Sequence, residues 1–284
     1  MAPSRSAMEI MLKICEQYAA KNNLEFSTDP NPEKSKSKCI YMSGHLKKPE
    51  PVNLQLYDVD LPWIKTATNL GHELCWDFTM NDDMRQKRAT FIGRSTEVRE
   101  TFGFAQPNQI LQAVQTYCFD MYGAMTWPLY SQKAKQVFIT WSTCVKLAWG
   151  VPRATHTYLV DNFFSGGIPS IRSSVLARYC KFVTSVKSSQ SMEVRVVANI
   201  ASADIRSTTG SNLFHLENEA DMVLTKDNMW EMRRVLLKLK TPVPNQDSWR
   251  VGCLRKFLSE KHNLQAMGQD TEVLQELVNS LCQT

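Results

Sequence analysis

The chain has 284 residues, of which 43% are hydrophobic and 21% charged, and Lys and Arg together exceed Asp and Glu by five. This composition excludes a disordered or fibrous protein. A length near the limit of about 250–300 residues for a single core favours two packed units. The net positive charge is compatible with a polyanionic partner, but many ordinary globular proteins share it.

The cysteines also limit the class of protein. The eight cysteines are scattered, with no Cys-x-x-Cys pair and no histidine at zinc-finger spacing, so we expect no metal site. Most have apolar neighbours, which indicates free thiols in a reducing compartment. Charged residues interrupt the first 20 positions, and no run of about 18 apolar residues occurs. We therefore predict an intracellular protein, cytoplasmic or nuclear, without a signal peptide or membrane span.

The N-terminal part mixes helix and strand patterns. Apolar spacing of three and four residues predicts an amphipathic helix over 6–22. Short alternating stretches predict strands near 24–27, 38–42, 52–56 and 65–74. Turn residues fill 29–32. The first 78 residues therefore read as the end of a mixed or antiparallel sheet domain with one helix at its N-terminus.

From Asn81 onward helical spacing dominates, so the fold class is α+β with a predominantly α-helical remainder. Helices are predicted over 84–102 and 110–121. A further helix over 171–187 has an apolar stripe and an opposite face with four cations: Arg172, Arg178, Lys181 and Lys187. Ser191 has N-cap chemistry for another helix, which the polar stretch 207–212 is expected to end. A helix near 232–239, a linker at Pro242–Pro244 and a terminal helix on Val273, Leu274, Leu277, Val278 and Leu281 complete the chain.

Adjacent aspartates at Asp82-Asp83 could in principle hold the magnesium ions of a polymerase. Such pairs belong at a tight turn between two apolar strands, whereas here Met84 and a basic run continue directly into a helix. Aspartates in a first helical turn stabilise its exposed N–H groups, and we predict that role for this pair. The five histidines have no acidic or cysteine partner at catalytic or metal-binding spacing, so structural roles are expected for them.

A second polar segment contains Lys34, Lys36 and Lys38 at alternate positions. On an extended strand these side chains would share one face, an arrangement that suits phosphate groups. A solvated polar loop is an equally good interpretation, because charged turns are common.

The order of these segments resembles the region downstream of the catalytic turn in the reverse transcriptases of non-LTR (LINE-type) retrotransposons. The motifs that carry the resemblance are Asn31-Pro32-Glu33-Lys34-Ser35-Lys36, which matches the family's Asn-Pro-x-Lys-Thr/Ser-Lys, and Leu70-Gly71-His72. Similar runs follow in the family's order at 87–92, 99–104, 121–123, Trp127 and 146–152. The resemblance covers most of residues 1–190 and is strongest between 24 and 160.

This resemblance implies a distal palm fragment with primer-grip strands at 1–78, a helical thumb at 79–165 and a helical C-terminal region at 166–284. Lys34 or Lys36 would lie near the phosphates of the incoming nucleotide. The remaining nucleic-acid contacts implied are Lys38, Leu70, Gly71 and His72, with Arg85, Lys87, Arg88 and Arg94 on the thumb. The family's catalytic Asp-Asp turn is absent, so Mg²⁺ and its ligands would belong to an upstream fingers–palm segment, and this chain is expected to hold no cofactor.

Two functions follow as hypotheses. The chain either grips an RNA/DNA template–primer duplex as a fragment of a reverse transcriptase that does not polymerise alone, or is a non-enzymatic module that binds nucleic acid or protein; a decayed element is a third reading. The first two differ in where six cations should lie: clustered on one side for duplex binding, dispersed for a scaffold. These cations are Lys87, Arg88, Arg94, Arg172, Arg178 and Lys181. No membrane partner is expected.

Overall fold

A computed structural model describes residues 4–42, 53–69, 71–165 and 167–239, except the side chains of 162 and 163. The predicted α+β class is confirmed: an N-terminal helix and two small antiparallel sheets precede a mostly helical remainder. The chain divides into two compact units, Met1–Asp83 and Met84–Thr284. Leu70, the Pro242–Pro244 linker and the predicted terminal helix lie outside the described residues.

The first unit begins with helix α1, Arg5–Lys21, which Ser4 caps by accepting a hydrogen bond from the Ala7 N–H at 3.2 Å. Two hairpins follow, formed by β1 (Gln55–Leu56) with β2 (Val59–Asp60) and by β3 (Thr66–Asn69) with β4 (His72–Cys75). The strands predicted at 52–56 and 65–74 are therefore present in shorter form.

Two other strand predictions fail in this unit. Residues 24–27 form no strand; the Ser27 carbonyl accepts from the Ser37 N–H at 3.2 Å, outside any ladder among the described residues. The stretch 38–42 contributes one parallel bridge to the described part of the chain, between Cys39 and Trp63. The β1–β2 turn consists of Tyr57 and Asp58, both in the left-handed region with φ of 54° and 58°, as a type I′ turn requires. Glu16 of α1 accepts a hydrogen bond from the Tyr57 N–H at 2.6 Å, which fastens this turn to the helix.

The remainder of the described chain is helical. Its α-helices are α2 (Asn81–Thr101), α3 (Pro107–Cys118), α4 (Gln132–Trp149), α5 (Thr157–Leu159), α6 (Ile171–Lys187), α7 (Met192–Ala203), α8 (Thr208–Ala220) and α9 (Met229–Lys238). A 3₁₀ turn spans Ala124–Thr126, and a π-helical turn, Val160–Phe164, continues α5. None of these helices is both long and apolar enough to cross a membrane.

Serine N-caps set the start of several helices in the second unit. Ser191 caps α7 as predicted, accepting from the Val194 N–H. The stretch 207–212, expected to end that helix, instead begins α8, where Ser207 accepts from the Gly210 N–H at 2.8 Å. Ser and Thr favour turns and N-caps alike, and α7 already ends at Ala203, so here the same residues start a helix.

The core of the second unit is built from large, fully buried side chains, among them Phe91, Trp127, Trp141, Tyr179, Leu216 and Leu236. A buried polar residue, Asn212 of α8, fixes the segment that leads into α4. Its carboxamide oxygen accepts from the Leu129 N–H at 2.9 Å and its amide nitrogen donates to the Trp127 carbonyl at 2.7 Å. The unit is thus stabilised by the packing of large apolar side chains and by the two hydrogen bonds of Asn212, which we call the polar lock.

Candidate nucleic-acid interface

The lysine segment is a structured loop and not the extended strand that was predicted as one alternative. Ser35 is buried and organises it, donating to the Ser37 carbonyl at 2.6 Å and accepting from the Asp29 N–H at 3.3 Å. Turn residues flank it, since Asn31 accepts through its side chain from the Glu33 N–H at 2.9 Å. The inward serine leaves the lysines on either side exposed.

Lys34, Lys36 and Lys38 are all exposed, and none forms an ion pair with another described residue. Exposed lysines and buried or partly buried serines therefore alternate along this segment, as they would in a strand, although the segment is a loop: Ser35 is buried and Ser37 is partly buried. Three ammonium groups within five residues give this loop a concentrated positive charge that solvent or a polyanion can reach.

The end of this loop is fastened to the chain that enters β3. The Cys39 N–H donates to the Pro62 carbonyl at 2.9 Å, and the Cys39 carbonyl accepts from the Ile64 N–H at 2.9 Å. Lys38 therefore lies beside the base of the β3–β4 hairpin, and burial raises the pKa of the neighbouring Cys39 thiol. Backbone hydrogen bonds thus join the chain that follows the lysine motif to the chain that leads into the β3–β4 hairpin, within one unit.

The β3–β4 hairpin contains the predicted primer-grip residues. Its register pairs Thr66 with Cys75 and Asn69 with His72, and Gly71 lies in the turn between the two strands. Gly71 has φ of +79° and would meet no atom within 4 Å if it carried a Cβ, so its backbone conformation and not lack of space requires glycine. The exposed turn glycine and the half-buried His72 lie at the same end of the hairpin.

The aspartate pair lies in the first turn of α2, which confirms the helical prediction. The side chain of Asp83 is fully buried; it accepts from the Glu73 N–H at 3.2 Å and lies 3.5 Å from His72 Nδ1. Asp82 accepts from the Cys75 thiol at 3.6 Å, and burial together with this hydrogen bond raises the pKa of that thiol. Both carboxylates are therefore used to hold β4 against the start of α2.

The expectation that no histidine has an acidic partner is wrong for His72, since its partner is 11 positions away and is brought close by the chain reversal after β4. The aspartates do not fit a two-metal site, because each already has a protein partner in a helical turn. Among the described residues no group of three or more His, Cys, Asp and Glu side chains could hold a metal ion.

The four predicted cations of α2 lie on two different sides of the helix. Lys87 belongs to the buried stripe with Met84 and Phe91, and its ammonium lies 3.8 Å from Asp120. Arg94, seven residues further on and so on the same side, lies 3.7 Å from the same carboxylate. Arg85 and Arg88 lie on another side, where both are exposed. A helical wheel could have identified Lys87 as inward-facing, because it follows Met84 by three residues.

The cations of α6 are divided in the same way. Arg172 donates to Glu219 at 2.6 Å and lies over the Tyr130 ring at 5.8 Å, whereas Arg178 and Lys181 are exposed. Burial and the neighbouring Glu219 raise the pKa of the Tyr130 hydroxyl. Three of the six cations that should have distinguished the two functions are therefore paired with acids, and the other three are divided between α2 and α6.

The surface that best fits the predicted interface is therefore the lysine loop and the β3–β4 hairpin of the first unit. Comparisons of the chain with protein-family models, with curated proteins and with solved structures found no match.

Proposed function

We propose that the chain is a downstream part of a LINE-type reverse transcriptase and that its first unit grips a template–primer duplex. The observation that carries this proposal is the hydrogen-bonded junction at Cys39, which joins the exposed lysine loop to the hairpin whose turn contains Gly71. Lysine contacts to phosphates position a duplex without reading its sequence. Such a protein would act in the cytoplasm or the nucleus.

The surface of α1 supports the need for an upstream segment. Ile10, Ile14 and Tyr18 recur every four residues and remain 60%, 58% and 62% exposed. Elsewhere on the helix Ala19 is fully buried and Glu16 holds the β1–β2 turn. A helix with apolar residues on two sides belongs between two layers. A sheet of a fingers–palm segment would supply the second layer, together with the metal-binding carboxylates that Asp82 and Asp83 do not provide.

A salt series of primer–template binding tests this function. Each lysine–phosphate contact adds about 0.9 to the slope of log affinity against log salt concentration. We expect Lys34→Gln, Lys36→Gln and Lys38→Gln together to reduce that slope by about two to three and to weaken binding most at low salt. The matched control replaces Lys133, Lys135 and Lys226, three exposed lysines of the second unit that the family resemblance does not assign to the duplex, by Gln, which changes net charge equally.

An unchanged slope in the loop variant, or an equal loss in the control, would overturn the duplex grip. An incorporation assay with Mg²⁺ and a primer–template is expected to give no product with this chain alone. Nucleotide incorporation would show that its carboxylates form a complete catalytic site after all.

A second candidate is a non-enzymatic scaffold derived from such an element. It is favoured by the pairing of Lys87, Arg94 and Arg172 with Asp120 and Glu219, which uses cations of the second unit for its own packing. This candidate predicts weak binding to the duplex with the same salt slope in both triple variants.

A further inference from the structure

Helix α7 presents its apolar residues outward. Met192, Val196, Val197 and Ile200 are 67%, 45%, 64% and 65% exposed, and at about 100° per residue they lie on one half of the helix. We call these four residues the outward face of α7. The same half contains one charged residue, Glu193.

The other half of α7 carries mainly small or polar residues, with Val194, 42% exposed, as its one larger apolar side chain. Ala198 is buried, Ser202 has a buried hydroxyl with no hydrogen-bond partner among the described residues, and Arg195 donates to the carbonyls of Ser189 and Gln190 at 2.6 and 3.0 Å. An ordinary surface helix has the opposite arrangement, with its larger apolar residues inside. The outward face therefore has the composition of an interface that another element covers.

We propose that this face is the docking surface for residues 271–282 of the same chain. That segment carries apolar residues at helical spacing: Val273, Leu274, Leu277, Val278 and Leu281. Its apolar stripe spans the nine residues from Val273 to Leu281, so in helical spacing it fits along the 12 residues of α7, about 18 Å. Helices of this length are marginal in water on their own, and an apolar partner supplies the missing stability.

The chain can reach this position. The carbonyl of Leu239, the last described residue, accepts from the Ser173 hydroxyl near the start of α6 at 3.5 Å. α7 follows the other end of α6, which at 17 residues is about 26 Å long. The 31 residues at 240–270 can extend to about 100 Å, several times this distance. No second copy is needed to place the segment on the outward face.

Hydrogen exchange of the full chain tests this docking. Leu277→Asp puts a charge in the apolar stripe of the segment, whereas Asn279→Asp puts it on the opposite side. We expect Leu277→Asp to accelerate exchange about tenfold or more in both α7 and 271–282, and Asn279→Asp to leave both unchanged. Since coupling is reciprocal, Ile200→Asp should release the segment, whereas Asn199→Asp, at an exposed polar position just outside the outward face, should not.

The amides of α4 serve as the internal reference, because uniform acceleration there would report unfolding. Unchanged α7 exchange in Leu277→Asp, with the reference also unchanged, would overturn the proposal. So would protection of α7 that increases with protein concentration alongside a dimer in sedimentation, because the occupant would then be a second copy. If Leu277→Asp unfolds the chain, the Ile200→Asp and Asn199→Asp pair provides the same comparison from the other side.

Discussion

The two units bury very different amounts of apolar surface. The second packs large aromatic and aliphatic side chains around Trp141 and Tyr179, both with almost no exposure. In the described part of the first unit the buried apolar side chains are Leu54, Leu56, Leu61, Ala19 and Cys75, while Ile10, Ile14, Tyr18 and Leu24 remain exposed. So few buried groups provide little of the free energy that offsets chain entropy. The second unit is stabilised by its own core, whereas the first is expected to depend on another surface.

The sharpest test of this difference is Trp141→Ala. It removes a fully buried ring that packs edge-to-face on Phe119 at 5.1 Å, so we expect the unfolding free energy of the second unit to fall by about 3–5 kcal/mol. Urea unfolding followed by helical circular dichroism measures this loss. The control is Trp230→Ala, at a position 66% exposed, which should cost at most about 1 kcal/mol from its contact with Arg233. Equal losses of unfolding free energy in the two variants would show that the buried Trp141 contributes no more to stability than the exposed Trp230.

Asn212→Ala tests the polar lock in the same core. It leaves the Leu129 N–H and the Trp127 carbonyl without their partner, and two buried unsatisfied groups cost about 2–4 kcal/mol together. Asn218→Ala, at an exposed position of the same helix, is the matched control and should change stability by less than about 0.5 kcal/mol. If both variants unfold at the same urea concentration, the lock contributes nothing.

The second unit should also lose stability in alkaline solution. Burial raises the pKa of Cys144 to about 11 from 9.0, so the folded state favours the protonated thiol. That contribution is complete below about pH 9 and disappears as the pH rises towards 11, a loss of roughly 2–3 kcal/mol. Unfolding free energies of the parent chain and Cys144→Ala, measured at several pH values, should converge over this range. Parallel curves would contradict the pKa assignment.

Replacing either of two helical glycines by alanine should change the unfolding free energy by a smaller amount, and in opposite directions. A Cβ on Gly210 would lie 2.2 Å from the Asp204 carbonyl oxygen, so Gly210→Ala must move α7 and α8 apart and should cost about 1–3 kcal/mol. A Cβ on Gly93 of α2 would meet nothing within 4 Å, so Gly93→Ala should stabilise by about 0.4–1 kcal/mol. Thermal midpoints that shift in the same direction would show that the close approach at Gly210 is not limiting.

Local sequence patterns predicted most of the helices, because apolar spacing and serine caps are properties of neighbouring residues. Ser191 marks the start of α7 for this reason. Strands were predicted less well, since a strand exists only where a distant partner supplies hydrogen bonds. Cys39 finds such a partner in the chain around Trp63, whereas among the described residues 24–27 pair with no strand and Ser27 accepts an isolated backbone hydrogen bond from Ser37.

The candidate site was predictable in composition but not in contacts. The lysine loop and Gly71 could be found from their motifs, but the role of Asp83 depends on Glu73 and His72, which the chain reversal after β4 brings back to it. Ser35 has local partners, Asp29 and Ser37, yet its burial between exposed lysines has no sequence pattern that predicts it. The family resemblance assigned Lys87 to a phosphate-binding face, whereas Asp120 provides it with a partner at the buried side of α2. Asn212 gave no signal at all, since its partners lie more than 80 residues away.

A local effect, smaller than those expected from Trp141→Ala and Asn212→Ala, is expected in the first unit from Asp83→Ala. This change removes the acceptor of the Glu73 N–H and the partner of His72, so β4 should open more often, by about 1–2 kcal/mol. Amide exchange at residues 73–75 would then be roughly tenfold faster or more. Glu100→Ala is the control, because it removes a carboxylate from an exposed position of the same helix and leaves the contacts of Asp82 and Asp83 with β4 in place. The urea midpoint of the second unit should shift far less than with Trp141→Ala. Unfolding of the whole chain by Asp83→Ala would instead mean that the stability of the second unit depends on this anchor, and that the contrast between a self-sufficient and a dependent unit is wrong.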